Sequence, residues 1–229
     1  MKSLLFAPLA LLLIAAKPAP PVEPKSWIAP AAVAADPANR LTLELSNGGR
    51  VVIQLRPDVA PLAVQRIQTL AQQGFYNGLK FHRVIPGFMA QGGDPKGDGS
   101  GGSTLPDLKA EFTDLPHVRG TLSMARASTP DSANSQFYIM FGPKASLDKN
   151  YTVIGRVTEG MAGVDGIAVG EPPADPTTIV RAGLGAPVAV ALVAAPVPAP
   201  AAVEVPAPTP TPAVEAPAPA PAAEAAPPK

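Results

Sequence analysis

Apolar and polar residues alternate along Leu41-Thr42-Leu43-Glu44-Leu45, and the chain then turns through Asn47-Gly48-Gly49 into Val51-Val52-Ile53-Gln54-Leu55. A period of two on both sides of an Asn-Gly turn predicts a β-hairpin. The period then changes: Ala63, Ile67, Leu70 and Ala71 fall at i, i+4, i+7 and i+8. With Asp58 or a neighbour as cap, Pro61 in the first turn and Gly74 as a stop, this spacing predicts a helix. Residues 81–85, 120–125, 136–140 and 151–157 read as short strands between Gly/Pro/Ser/Asp loops. A second short helix fits residues 161–168, and 177–184 reads as a closing strand. Many short strands with two helices predict a mainly β fold, a closed antiparallel barrel with helices over its openings.

The placement of proline divides the 229 residues. Seven of the 31 prolines lie in residues 1–39, thirteen in 187–229, and eleven in the long segment between them. That middle segment also carries 13 of the 18 acidic and 14 of the 18 basic residues, together with every Tyr and His. It is long enough to bury one core. The reading is a signal peptide at 1–16, a Pro/Ala-rich linker at 17–38, one domain at 39–186 and a disordered Ala/Pro-rich tail at 187–229.

The signal rests on Lys2 followed by an apolar run, 3–16, broken by Pro8 and ending in Ala15-Ala16. Such a run is too short for a bilayer span, which needs about 20 residues, and suits export, here to the periplasm. Trp27 and Ile28 are the bulky pair of the linker, and either docking on the domain or solvation fits them. The tail, with Glu204, Glu215 and Glu224 spaced along it, has little bulky apolar surface to offset ordering entropy and is biased toward polyproline II. It reads as a passive tail, a spacer or a segment for an unknown partner.

Composition removes several kinds of chemistry. With no cysteine there is no disulfide, thiolate metal site or catalytic thiol. A formal net charge of +0 gives no basic footprint for nucleic acid. Neither His82 nor His117 is spaced to pair with another metal ligand, so neither metal nor cofactor is expected. Ser123 and Ser135 lack a nucleophile-elbow pattern, and no triad is marked. The glycine-rich stretch 92–102 lacks the Gly-Lys-Ser/Thr ending of a phosphate loop and reads as a long, flexible surface loop.

One block combines unusual groups: Phe81-His82-Arg83-Val84-Ile85-Pro86-Gly87-Phe88-Met89-Ala90-Gln91-Gly92-Gly93-Asp94. If 81–85 is a strand, His82 and Val84 share one face, and Phe81, Arg83 and Ile85 the other. The turn at Pro86-Gly87 then presents Phe88, Met89 and Gln91, an apolar pocket beside one multi-donor guanidinium. The competing reading makes Arg83 a surface charge and Phe88 and Met89 core residues.

This block resembles the signature of the cyclophilin family of peptidyl-prolyl isomerases. The likeness continues through Leu122-Ser123-Met124-Ala125-Arg126-Ala127, Asn134-Ser135-Gln136-Phe137-Tyr138-Ile139 and Leu147-Asp148-Lys149-Asn150-Tyr151-Thr152-Val153-Ile154-Gly155. It covers about residues 39–185 and implies an eight-stranded antiparallel barrel capped by two helices. By resemblance, Arg83 is the catalytic arginine, and Phe88 and Met89 line the proline pocket. Gln91 helps hold the substrate and the arginine. Ala125 and Arg126 match a stretch that contacts substrate backbone, and Gln136 a second substrate-site glutamine. Tyr138 stands for a Phe at the pocket floor, Leu147 for a wall residue, and Tyr151 for a frequent His. Ser146 falls where many eukaryotic members carry a Trp important for cyclosporin, which implies weakened binding of that drug.

The implied function is isomerisation of X-Pro bonds in proline-containing segments of exported polypeptides. It is expected to be non-covalent and free of cofactors, in a monomer without a membrane span once the signal is removed. The alternatives are a proline-binding chaperone domain that does not turn its ligand over and a scaffold tethered by the tail. The intact set of Arg83, Phe88, Met89, Gln91 and Tyr138 favours catalysis.

Overall fold

The computed structural model describes residues 26–185. The expected signal peptide, linker residues 17–25 and the tail at 187–229 lie outside the described residues. The chain enters through a short helix α1 (Ala31–Ala35) and a 3-10 turn, Pro37–Asn39. Strands β1 (Arg40–Leu45) and β2 (Arg50–Leu55) form the expected hairpin, with Leu41 opposite Ile53 and Leu43 opposite Val51. Helix α2 (Pro61–Gln72) follows and buries Ala63, Val64, Ile67, Leu70 and Ala71, the face set by the helical period.

The remaining strands are β3 (Arg83–Ile85), β4 (Met89–Gly92), β5 (Thr121–Met124), β6 (Phe137–Met140), β7 (Val153–Glu159) and β8 (Ile179–Leu184). Helix α3 (Met161–Asp165) lies between β7 and β8, shorter than the expected 161–168. The eight strands form one antiparallel sheet in the order β3-β4-β6-β5-β7-β2-β1-β8. The sheet curls, and its outer strands share no ladder. The chain just before each of them joins the seam instead: Phe81 N–H donates to Thr177 O at 2.9 Å and Ile179 N–H to Leu79 O at 2.8 Å. The result is the expected mainly β, barrel-like architecture, with α2 packed against β8 and α3 against β2.

The core inside the curl joins Leu41, Leu43, Ile53 and Leu55 to Ile67 and Leu70 of α2 and to an aromatic group. Tyr76 and Phe81 both meet Phe137 edge-on, at centroid distances of 5.5 and 6.3 Å. Each such side chain contributes about 1.5–3 kcal/mol on burial. The Tyr76 hydroxyl, fully buried, donates to Ser135 O at 3.1 Å.

Several local expectations change. Phe81 lies in the core beside Val84, not on the face of Arg83, because the strand begins only at Arg83 and alternation does not extend back to Phe81. Asp58 does not cap α2; its carboxylate pairs with Arg56 at 2.8 Å. The N-terminal N–H groups of Leu62 and Ala63 instead donate to the Glu111 carboxylate, at 3.1 and 2.9 Å. Trp27 is docked rather than solvated: it packs on Val59, Leu115 and Val153, with the Arg156 guanidinium 5.3 Å from its ring centroid. The segment at 26–39 is therefore part of the packed body, tied by Arg56 Nη1 to Ser26 O and by Gln68 and Asn39 side chains.

Candidate active site

Strand pairing builds the site as a row across the sheet. Arg83 on β3 stands opposite Gln91 on β4, Gln91 opposite Tyr138 on β6, and Tyr138 opposite Ser123 on β5. Because side chains alternate along a strand, Met89 and Gln91 share one face of β4, and Tyr138 and Met140 one face of β6. Their neighbours Ala90, Phe137 and Ile139 face the core. On the opposite face Met89, Tyr138 and Met140 form a second apolar cluster, joined by Ile85, Phe88, Ala125, Leu147 and Tyr151.

That cluster surrounds a cavity of about 130 Å³, lined in part by Arg83, Phe88, Met89, Tyr138 and Leu147, with Gln91, Ala125, Arg126 and Tyr151 completing it. Nine of the ten residues expected from the sequence thus meet in one pocket, and the core reading of Phe88 fails: it is half-buried at the pocket wall. The tenth, Gln136, lines a larger neighbouring cavity of about 390 Å³ with the loop from Gly99 to Ser103, Asp107, Asn134 and others. The two spaces share Gln91, Ala125 and Arg126.

Gln91 and Gln136 form the partition. Gln91 Nε2 donates to Gln136 Oε1 at 2.9 Å, and Gln136 Nε2 donates to Gly99 O and Gly101 O at 2.9 and 2.8 Å. Gln91 therefore braces Gln136, and no hydrogen bond joins it to Arg83, although both line the pocket. Arg83 is held from the other side of β3: its Nε donates to Glu171 Oε2 at 2.6 Å. Among the described residues its two Nη groups have no protein partner, and the side chain is 42% exposed at the pocket rim.

Arg126 is locked in place. Its guanidinium lies 4.5 Å from the Tyr151 ring centroid and donates to the carbonyls of Asn150, Ala127 and Ser128 at 3.0–3.2 Å. With its side chain committed in this way, Arg126 lines the pocket as a fixed wall alongside Ala125. Leu147 ends a 3-10 turn, Ala145–Leu147, that brings the opposite wall into place.

Behind the floor, the structure assembles a group that sequence spacing does not reveal. Asp148 Oδ1 accepts from His117 N–H at 2.7 Å and lies 3.0 Å from His117 Nδ1; His117 Nε2 is 3.0 Å from Ser123 Oγ. The imidazole stacks on Tyr138 at 6.2 Å. The Ser–His–Asp order resembles a nucleophilic triad, but Ser123 and His117 are buried behind Tyr138, so no substrate reaches the hydroxyl. Its work is mechanical: it fixes the floor and ties it to the Leu147 wall. Burial lowers the His117 pKa below its ordinary value, against the opposing influence of Asp148. Burial likewise raises that of the Tyr138 phenol.

The glycine-rich loop is not the flexible segment its composition suggests. Asp94, almost wholly buried, accepts N–H groups from Lys96, Asp98 and Gly99 at 2.8, 3.2 and 2.6 Å. Burial opposes ionisation of this carboxyl, but the backbone donors outweigh it and hold its pKa below the ordinary carboxylate value. Gly93 precedes it at φ +83°, where a Cβ would meet Ser135 O at 2.6 Å, so the chain can pass there only as glycine.

The family described as "Cyclophilin type peptidyl-prolyl cis-trans isomerase/CLD" matches residues 40–184. The chain belongs to the cyclophilin family. A probable peptidyl-prolyl cis-trans isomerase of Brucella suis is 52% identical over 150 residues, covering 61% of this chain and 76% of the relative. Peptidyl-prolyl cis-trans isomerase B of Bacillus subtilis is 44% identical over 119 residues, covering 51% and 82%. Among solved structures, a cyclophilin from Hirschia baltica superposes with a TM-score of 0.61 at 30% identity, covering 65% of this chain and 74% of its own. A Cryptosporidium parvum cyclophilin-type isomerase, crystallised in the presence of the dipeptide Ala-Pro, gives 0.60 at 27%, covering 65% and 99%. This cyclophilin is a peptidyl-prolyl cis-trans isomerase, and proline-containing chains are its class of substrate.

Proposed function

We propose that this cyclophilin isomerises X-Pro bonds of exported polypeptides by a non-covalent mechanism in which Arg83 stabilises the twisted amide. One observation carries the mechanism: a guanidinium with both Nη groups unpartnered among the described residues stands at the rim of a small apolar pocket. The planar amide resists rotation by about 18–20 kcal/mol because its nitrogen lone pair is delocalised. Twisting localises that lone pair on the proline nitrogen. A donor aimed at it binds the transition state more strongly than either planar ground state, which is what catalysis requires. Phe88, Met89, Leu147 and Tyr138 hold the pyrrolidine ring while the acyl side turns. Residues flanking the proline lie along Ala125 and Arg126 and over the adjoining larger cavity. Each 1.36 kcal/mol removed from the barrier gives about ten-fold in rate, so five decades require roughly 7 kcal/mol.

Export rests on Lys2 and the apolar run at 3–16, and the periplasm is the proposed destination. Sequencing the N-terminus of the protein recovered from cell fractions tests it: a start at Lys17 in the periplasmic fraction is expected, and an intact Met1 retained in the cytoplasm overturns it. The mechanism is tested by cis/trans exchange of an Ala-Pro peptide, followed by NMR with the full chain and R83A. Loss of one preorganised donor is expected to slow exchange about 100-fold or more. A folded R83A as fast as the parent overturns the role of Arg83.

A further inference from the structure

We propose that Glu171 is a positioning residue of the isomerase site: its carboxylate holds Arg83 by the Nε–H and thereby aims the two Nη groups at the proline pocket. The proposal rests on the reading of Arg83 as the donor to the twisted amide. The contact joins residues 88 positions apart, with Arg83 Nε 2.6 Å from Glu171 Oε2. A guanidinium held only by its own flexible stem samples many orientations. A charge-assisted bond to Nε fixes the plane of the fork and leaves both Nη groups free to donate.

The placement of Glu171 is built into the fold. The residue before it, Gly170, bridges to the residue after Arg83: Val84 N–H donates to Gly170 O at 2.8 Å, and Gly170 N–H returns to Val84 O at 3.0 Å. Those two bonds register Glu171 beside Arg83. Gly170 sits at φ +149°, and a Cβ there would meet Pro173 Cα at 2.5 Å, so the chain reaches this register only through glycine.

The pair is also placed where its value is catalytic rather than structural. Both side chains are substantially exposed, at 42% and 51%. Exposed ion pairs contribute little to folding, which leaves orientation as the property that Glu171 controls. No other group among the described residues hydrogen-bonds the Arg83 guanidinium.

The test uses the full chain, an uncharged Ala-Pro peptide and the variants E171A, E171Q, R83A and R83A/E171A. Orientation acts on the transition state, so E171A is expected to lower kcat about five-fold with KM within about two-fold of the parent. E171Q keeps an acceptor oxygen and is expected to recover at least half of that loss. The Nε–Hε signal of Arg83 is expected to shift in E171A while the backbone amide spectrum outside residues 83 and 171 stays in place. Removing Glu171 from R83A is expected to cost nothing further. An E171A kcat within about 1.5-fold of the parent overturns the proposal, as do a loss confined to KM, E171Q no better than E171A, or a full E171A loss on the R83A background. If R83A itself keeps the parental kcat, the reading of Arg83 fails. If R83A loses activity and E171A does not, only the role of Glu171 fails.

Discussion

Acidification from pH 7.5 to 5.5 should destabilise this cyclophilin, and the two histidines set the size of the effect. His82 is 5% exposed, and among the described residues neither ring nitrogen has a hydrogen-bond partner; His117 is 1% exposed, with both nitrogens engaged. Burial lowers the pKa of both below the ordinary value. Asp94 and Asp98 oppose that shift at His82, which Arg83 reinforces, and Asp148 opposes it at His117. A base whose pKa is depressed on folding binds its proton more readily in the unfolded chain. Below the unfolded value near 6.5, protons therefore favour unfolding, and stability falls as pH falls. If one histidine stays neutral in the fold down to pH 5.5, the loss between pH 7.5 and 5.5 is about 1.4 kcal/mol. Two give at most about 2.7 kcal/mol. At about 2–4 °C per kcal/mol for a domain of this size, the largest drop in Tm is about 5–10 °C. Asp94, Asp98 and Asp165, whose pKa values are lowered, lose their contribution only in strongly acidic solution and do not enter this window. Thermal unfolding followed by circular dichroism at the two pH values measures the drop, and H82Q should remove about half of it. Imidazole resonances followed by NMR report the folded pKa values directly. A Tm equal at both pH values, or a folded pKa at or above 6.5 for both histidines, refutes the reasoning.

Two further perturbations separate structural from catalytic groups. E111A removes the carboxylate that accepts the Leu62 and Ala63 N–H groups at the start of α2, where Ala60 offers no side-chain cap. Chemical denaturation should show a loss of about 1–2 kcal/mol, with E111Q losing less, and an unchanged midpoint would show that the helix needs no such partner. Y138F deletes a buried hydroxyl that makes no well-formed hydrogen bond among the described residues, its neighbour Ser123 Oγ being engaged by His117. Removing an unpaired polar atom should leave stability equal or raise it by up to about 1 kcal/mol, with peptide exchange retained. A loss of more than 1 kcal/mol in denaturant would show that the hydroxyl is satisfied after all.

What the sequence reveals about this molecule follows the range of the interaction. Periodicity is local, so the hairpin of Leu41–Leu45 with Val51–Leu55 and the buried face of α2 are legible, whereas Phe81 is misplaced where alternation is extended two residues beyond the start of β3. The pocket residues are legible because three of them, Phe88, Met89 and Gln91, share one short stretch with Arg83, and resemblance supplies the rest. Composition misleads at residues 94–102, because a count of glycines suggests mobility while the order comes from N–H groups converging on the Asp94 carboxylate. The partners that no pattern marks are all distant: Glu111 from the start of α2, Asp148 from His117, and Glu171 from Arg83. Each is an acidic residue in a loop, where charge on its own reads as solvation. Each also completes a group that the local sequence leaves unsatisfied: an uncapped helix, a buried imidazole, a free guanidinium. For Arg83, a cation next to an apolar pocket, the anion that meets it lies on the segment bridged to β3 through Val84 and Gly170.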